Sequence, residues 1–309
     1  MSRIAIALAG YGKIARDQHE RAIAGSEDFT LVAIGDPAAR HSSLPSYDSL
    51  AAMLRAQPEI AAVSLCMPPA GRSDAAIAAI TTGRHVLLEK PPCATFAQAE
   101  HLVSLAGRCG VTLHTAWHSQ HAAGVDAARD WLRGKTIRSV RVNWKEDVRV
   151  WHPGQAWIWQ RGGFGVFDPG INALSILTRI LPAELRLSEA ELEVPANCVT
   201  PIAARLELAG AGFPVFAEFD FRQTGPQSWD IEVATAAGLL VLSRGGNELV
   251  IDGERHEVGA EAEYSRLYAR FAELIRSGRS EADLAPLKLV GEALDRGRIV
   301  TTDRFEDAA

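Results

Sequence analysis

The chain reads as an α/β protein in two parts: an N-terminal doubly wound parallel sheet, then, after about residue 120, an α+β region on a large, mostly antiparallel open sheet. Three observations predict this. Short apolar runs alternate with alanine-rich helical patterns through residues 4–115. A glycine turn, Gly10-Tyr11-Gly12, joins the first run to the first helix. Beyond residue 120 the apolar residues recur at period two.

Taken in order, Ile4–Ala9 has the length and apolarity of a buried strand, and residues 13–25 follow as a helix ending near Gly25. Strands are expected at Leu31–Gly35, Ala61–Cys66, Val86–Leu88 and Val111–Thr115. Helices over 48–56, 73–82 and 95–109 lie between them, and Gly83 and Gly110 stop the last two. Such alternation implies parallel strands with right-handed crossovers. Farther on, a helix is expected over 122–133 and strands over 138–149, 202–208, 214–222, 229–235, 239–243 and 248–251. Ala236-Ala237-Gly238 and Arg244-Gly245-Gly246-Asn247 read as links between antiparallel neighbours. One helix, 167–181, interrupts these strands, and two more, near 263–277 and 283–296, close the chain. Two domains follow, 1–120 and 121–309. A sheet with helices on one face invites a partner on the other, so a homodimer or homotetramer through the C-terminal sheet is expected.

The 309 residues allow two sizeable cores, and 47% hydrophobic with 23% charged residues is ordinary for a globular protein. A net charge of -6 argues against a nucleic-acid surface. Cys66, Cys93, Cys109 and Cys198 lack C-x-x-C spacing, which favours reduced thiols in a cytoplasmic setting over a disulfide framework. Met1-Ser2-Arg3 runs straight into a strand pattern, and no apolar stretch is long enough to span a bilayer; neither a signal peptide nor a membrane partner is expected. His114, His118 and His121 superficially suggest zinc. They fall at a strand end, with no Cys or carboxylate at the usual spacing, so no metal is expected.

Gly10-Tyr11-Gly12-Lys13-Ile14-Ala15 matches the Rossmann fingerprint G-x-G-x-x-[GA]. Gly10 permits the tight turn, Gly12 lets a pyrophosphate approach the backbone, and Ala15 lets helix and strand pack. Amides at the helix start, those of Lys13 and Ile14 included, then meet the phosphates. Asp36 ends the next strand. A carboxylate there accepts the ribose hydroxyls of NAD and repels a 2′-phosphate, and Arg40 and His41 soften that repulsion. NAD is expected, with some use of NADP. A turn residue in Asp-Pro is the plainer account of Asp36 taken alone.

The apolar run His85-Val86-Leu87-Leu88 leads into Glu89-Lys90-Pro91-Pro92. A lysine at the carboxyl end of a parallel strand stands where open α/β sheets bind ligands. In Phe167-Asp168-Pro169-Gly170-Ile171-Asn172, Asp168 reads as a helix N-cap and Asn172 lies on the same face four residues on. With the fingerprint, these residues resemble the nicotinamide-dependent glucose-fructose oxidoreductase/inositol dehydrogenase family. Lys13-Ile14-Ala15-Arg16-Asp17-Gln18-His19, Trp117-His118-Ser119, Trp144-Lys145-Glu146-Asp147-Val148-Arg149, Trp151-His152-Pro153-Gly154-Gln155 and Trp157-Ile158-Trp159 narrow the resemblance to its bacterial D-galactose 1-dehydrogenase/L-arabinose 1-dehydrogenase subgroup. It covers essentially the whole chain and is most specific over 144–182.

The resemblance implies oxidation of the anomeric C1 hydroxyl of an aldose, D-galactose or L-arabinose, to a lactone. It implies cofactor contacts at Cys66 (backbone only), Pro68, Pro69, Glu89 and Lys90. Sugar contacts are implied from Lys90, His118, Glu146, His152, Asp168 and Asn172. Three departures stand out. Cys66-Met67 replaces small polar residues, Arg72 stands near an expected histidine, and Asn172 replaces the histidine that usually serves as base. An amide cannot take a proton near neutrality, so the base falls to Asp168, with Lys90 bonding O1, or to Lys90, with Asp168 orienting it. Glu146 falls at period two with Trp144 and Val148 in the strand expected over 138–149. A carboxylate on that apolar face answers to a basic core partner or to sugar hydroxyls. Trp151, Trp157 and Trp159 crowd one loop; core packing accounts for some of them, and a stacking wall over sugar or nicotinamide, with Trp151 and Trp159 in it, accounts better for the clustering. A dinucleotide-binding sugar sensor without turnover, and a dehydrogenase for another polyol, are the alternative readings.

Overall fold

A computed structural model describes residues 2–306. It contains two compact units. One comprises the chain up to Trp117 with Tyr264–Leu284; the other comprises His118–Glu263 and the chain from Ala285 onward. A single cut near residue 120 misses this return. The helix Glu263–Ser277 places Leu267, Tyr268 and Phe271 in the core of the first unit, beside Ile6, Leu8 and Phe29.

The first unit holds six strands: β1 Ile4–Ala9, β2 Phe29–Gly35, β3 Ser46–Tyr47, β4 Ala62–Leu65, β5 His85–Glu89 and β6 Leu113–Ala116. They pair in parallel in the order β3-β2-β1-β4-β5-β6. Both sheet faces are covered, which is why these strands read as continuous apolar runs. The winding reverses between β1 and β4, and the crevice at the strands' carboxyl ends opens there. The helix Pro69–Thr81 begins four residues before its expected start. Proline lacks the N–H that a first helical turn leaves unbonded, so Pro69 opens the helix. Thr95 and Gln98 form a capping box for Phe96–Cys109, and Gly110 ends it at φ +66°.

The second unit carries nine strands: β7 Ile137–Lys145, β8 Arg186–Pro195, β9 Ala203–Ala209, β10 Pro214–Asp220, β11 Ser228–Thr235, β12 Gly238–Ser243, β13 Glu248–Ile251, β14 Glu254–His256 and β15 Arg298–Thr302. Their order is β14-β13-β12-β11-β7-β10-β9-β8-β15, with β7–β10 and β8–β15 parallel and the other neighbours antiparallel. Val140, Val142 and Trp144 of β7 and Val215, Ala217 and Phe219 of β10 alternate inward. Helices Val125–Leu132, Phe167–Ile180 and Ala285–Arg296 pack on this unit's strands. At Gly170 a Cβ would lie 2.7 Å from Phe219 Cδ1, so only glycine lets the middle helix sit this close to β10. Charged pairs occur on the solvent side: Lys145 with Glu218 at 2.8 Å, Arg222 with Glu193 at 2.8 Å and Arg205 with Glu191 at 3.1 Å. Among the described residues, no helix is long and apolar enough to cross a membrane.

Three sequence expectations need correction. Strands β8, β14 and β15 were not anticipated. β8 is rich in Glu and Leu, which favour helix, but pairing with β9 along its length overrides that preference. The strand expected over 138–149 ends at Lys145. Asp147 then accepts the Arg149 N–H at 3.0 Å and turns the chain into the short helix Val148–Trp151. Glu146 therefore shares no strand face with Val148. The helix at 167 starts one residue before Asp168, which lies inside the first turn and does not cap it.

Candidate active site

In the first unit the predicted cofactor residues gather at the carboxyl ends of β1, β2, β4 and β5. Gly10 has φ +84°, and a Cβ there would lie 2.5 Å from the Met67 backbone nitrogen. A Cβ at Gly12 would meet nothing within 4 Å, so the turn is open before the helical stretch that Lys13 and Ile14 lead into. Asp36 Oδ2 accepts the Tyr11 N–H at 2.7 Å, and Oδ1 accepts those of Ala38 and Ala39 at 2.8 Å each. Burial alone would raise this carboxyl's pKa; the three backbone donors and Arg40 outweigh it and hold it below the usual range. A charged acceptor beside an open glycine turn fits a dinucleotide. Arg40 donates to the carbonyls of Asp36 and Ala39 at 2.8 Å each and ion-pairs with Asp48. His41, expected to temper Asp36, pairs with Glu20 at 3.0 Å instead.

At the ends of β4 and β5 the buried Arg72 is a clamp that the sequence reading did not assign. Its guanidinium donates to the carbonyls of Met67, Glu89 and Pro91, tying the two turns together. Cys66 is buried, and Pro68 and Pro69 lead directly into the helix Pro69–Thr81. Glu89 is 2% exposed, and its Oε2 accepts the Lys90 N–H at 2.5 Å. The Lys90–Pro91 peptide is cis.

In the second unit the turn after β7, the strand β11 and the helix Phe167–Ile180 bring four polar groups together. Glu146 is 3% exposed and Asp168 4%. Glu146 Oε1 meets His152 Nε2 at 3.1 Å, and Oε2 accepts the Trp229 indole N–H at 2.8 Å. His152 Nδ1 stands 3.8 Å from Asp168 Oδ2. Asn172 Oδ1 is buried with no hydrogen-bond partner among the described residues. Trp229 was missed because nothing local marks it. It lies opposite Trp144 in the β11–β7 register and stacks on it at 6.1 Å, with Trp151 4.8 Å away on its other contact. Trp159 packs on Phe221 at 5.8 Å, and Phe221 also meets His152 at 5.5 Å. His118 is bound at Nδ1 by Glu263 at 2.5 Å, a second partner the sequence did not suggest.

The profile of the oxidoreductase family with an NAD-binding Rossmann fold matches residues 4–117. A galactose 1-dehydrogenase of Pseudomonas fluorescens is 43% identical over 99% of this chain and 100% of its own length. The chain belongs to the glucose-fructose oxidoreductase/inositol dehydrogenase family. A crystal structure of a D-galactose-1-dehydrogenase from Rhizobium etli superposes on this oxidoreductase with a TM-score of 0.95 at 51% identity, covering 99% of both chains. A 3-ketoreductase from Actinomadura kijaniata superposes with a TM-score of 0.84 at 18% identity over 97% of this chain and 100% of its own, which shows the shared fold. The oxidoreductase is a dehydrogenase of the nicotinamide-dinucleotide type.

Proposed function

We propose that this oxidoreductase converts the anomeric C1 hydroxyl of an aldose, D-galactose or L-arabinose, to the aldonolactone. The observation that carries the reading is the Glu146–His152–Asp168 cluster, fixed by the Trp229 indole and bordered by tryptophan faces. Sugars are held by planar polar groups that pair with neighbouring hydroxyls and by aromatic faces against C–H surfaces. The two galactose dehydrogenase relatives support the same substrate class.

When bound, the nicotinamide supplies the acceptor for the hydride leaving C1. Asp168 takes the O1 proton, and Lys90, as an ammonium, donates to O1 and stabilises the negative charge developing there. The reading requires both side chains to reach O1. Glu146, held by Trp229, accepts sugar hydroxyls, and His152 orients Glu146 and Asp168. The Asn172 carbonyl oxygen waits for a donor that a sugar hydroxyl would bring. D-Galactose and L-arabinose share ring configuration and differ by the exocyclic CH2OH, so a site open near C5 accepts both.

The test follows absorbance of the reduced cofactor with D-galactose, L-arabinose, D-glucose and myo-inositol in turn. Turnover with the first two and not with glucose is expected. Silence with all four while the dinucleotide still binds would transfer the weight to a sensor or another polyol. We place the enzyme in a cytoplasm, consistent with four unbonded cysteines. A homodimer or homotetramer through the outer face of the large sheet belongs to the same reading, and a monomer mass by light scattering at micromolar concentration would remove it.

A further inference from the structure

Beneath the carboxyl ends of β4 and β5, the first unit buries a run of polar side chains in an otherwise apolar core. Glu89 Oε1 accepts the Tyr264 O–H at 2.6 Å and lies 3.2 Å from His19 Nε2. His19 Nδ1 meets the Tyr268 hydroxyl at 2.7 Å, and that hydroxyl meets Ser64 Oγ at 2.8 Å. All five side chains are buried, among Ile6, Leu8, Phe29 and Phe271. Packing alone does not call for them, since phenylalanine fills the volume of either tyrosine, and a buried carboxylate is costly unless fully bonded.

Their connections are specific. His19 lies inside the helical stretch that follows the glycine turn, where Ala15–His19 runs on into Glu20–Ala24. Tyr264 and Tyr268 come from the helix that returns to this unit, one turn apart. Tyr264 and His19 converge on Glu89, Tyr268 reaches it only through His19, and the other Glu89 oxygen takes the Lys90 N–H. Burial alone favours a neutral His19 ring; Cys66, Tyr268 and Glu89 around it outweigh that and move its pKa upward, which suits a donor to the carboxylate.

We propose that Tyr264 and His19 are positioning residues for Lys90: they hold the Glu89 carboxylate, which holds the Lys90 backbone at the end of β5. Arg72 fixes the carbonyls on either side of Lys90, and the network fixes its amide. Both faces of the turn are thereby anchored. This inference rests on the catalytic assignment of Lys90 above.

The test compares Tyr264→Phe, His19→Leu and His19→Gln with Lys90→Met in the full-length enzyme, with NAD and D-galactose. Tyr264→Phe and His19→Leu are each expected to lower kcat by about tenfold or more, with the KM for NAD within about twofold, because small misplacement of a reacting group is costly. His19→Gln, which keeps an N–H donor, should retain more kcat than His19→Leu. The primary isotope effect on kcat with C1-deuterated galactose should rise in both slow variants. Should His19→Leu fail to fold, Tyr264→Phe decides alone. Unchanged kcat in Tyr264→Phe, with Lys90→Met inactive, overturns this inference and leaves the role of Lys90 standing. An active Lys90→Met overturns both.

Discussion

The indole N–H of Trp229 donates to Glu146 Oε2 across 2.8 Å, joining residues 83 positions apart in sequence. It uses one carboxylate oxygen of Glu146 while His152 engages the other. Trp229→Phe keeps an aromatic ring beside Trp144 and Trp151 and removes the N–H donor together with the five-membered half of the indole. A hydrogen bond to a charged group contributes about 1.5–3 kcal/mol. The KM for the sugar should then rise about 10- to 100-fold, with the KM for NAD almost unchanged. Steady-state kinetics in both substrates checks this, and an unaltered sugar KM would put Glu146 outside the sugar site.

Asp168→Asn and Lys90→Met should each lower kcat by about 10²–10⁴-fold. The pH profile of the residual rate separates their roles. With Asp168 as base, Asp168→Asn loses the acidic limb of the kcat profile and Lys90→Met keeps it. The opposite pattern assigns the base to Lys90.

Asp48 holds the Arg40 guanidinium in an exposed ion pair, with the Asp48 side chain 81% exposed. Such a pair contributes little to stability, about 0–1 kcal/mol. Its consequence is for the cofactor, since a guanidinium engaged by Asp48 is less available to a 2′-phosphate. Asp48→Ala should raise the NADP-to-NAD ratio of kcat/KM by about tenfold, and Asp36→Ala should raise it further. Loss of NADP activity in Asp48→Ala would remove Arg40 from that role.

Glu263 supplies a pH signature. Burial alone would raise its pKa, but the His118 hydrogen bond, the Asn247 amide and the nearby His121 hold it below the usual range. A folded-state pKa below the unfolded value of about 4.3 adds stability that is complete above that value and is lost as pH falls through the folded pKa. Glu263→Gln should therefore show a smaller drop in Tm than the wild type between about pH 5 and pH 3. Calorimetry across that range tests it, and parallel curves for the two proteins would be the contrary result.

Much of the fold was legible because its signals are local. The glycine turn after β1, the apolar runs of β1, β4 and β5, and the period-two strands β9 to β13 each depend on residues within one element. Helix Glu263–Ser277 was read at its observed bounds from periodicity, yet its membership in the first unit was not, because an amphipathic face does not name the surface that will cover it. β8 was missed because its composition favours helix and only pairing with β9 and β15 makes it a strand.

The same division runs through the candidate site. The sequence by itself determined which chemical groups the chain can offer and where each stands in its element: Gly10 and Asp36 at strand ends, Lys90 after β5, Asp168 and Asn172 on one helical face. Tertiary structure alone decided which of them are held and by what. Glu146 is fixed by Trp229 and His152, Glu89 by His19 and Tyr264, and Arg72 closes the turn around Lys90. Hydrogen bonds act over about 3 Å, and partners separated by up to 249 residues are brought to that distance only by the folded sheets and helices.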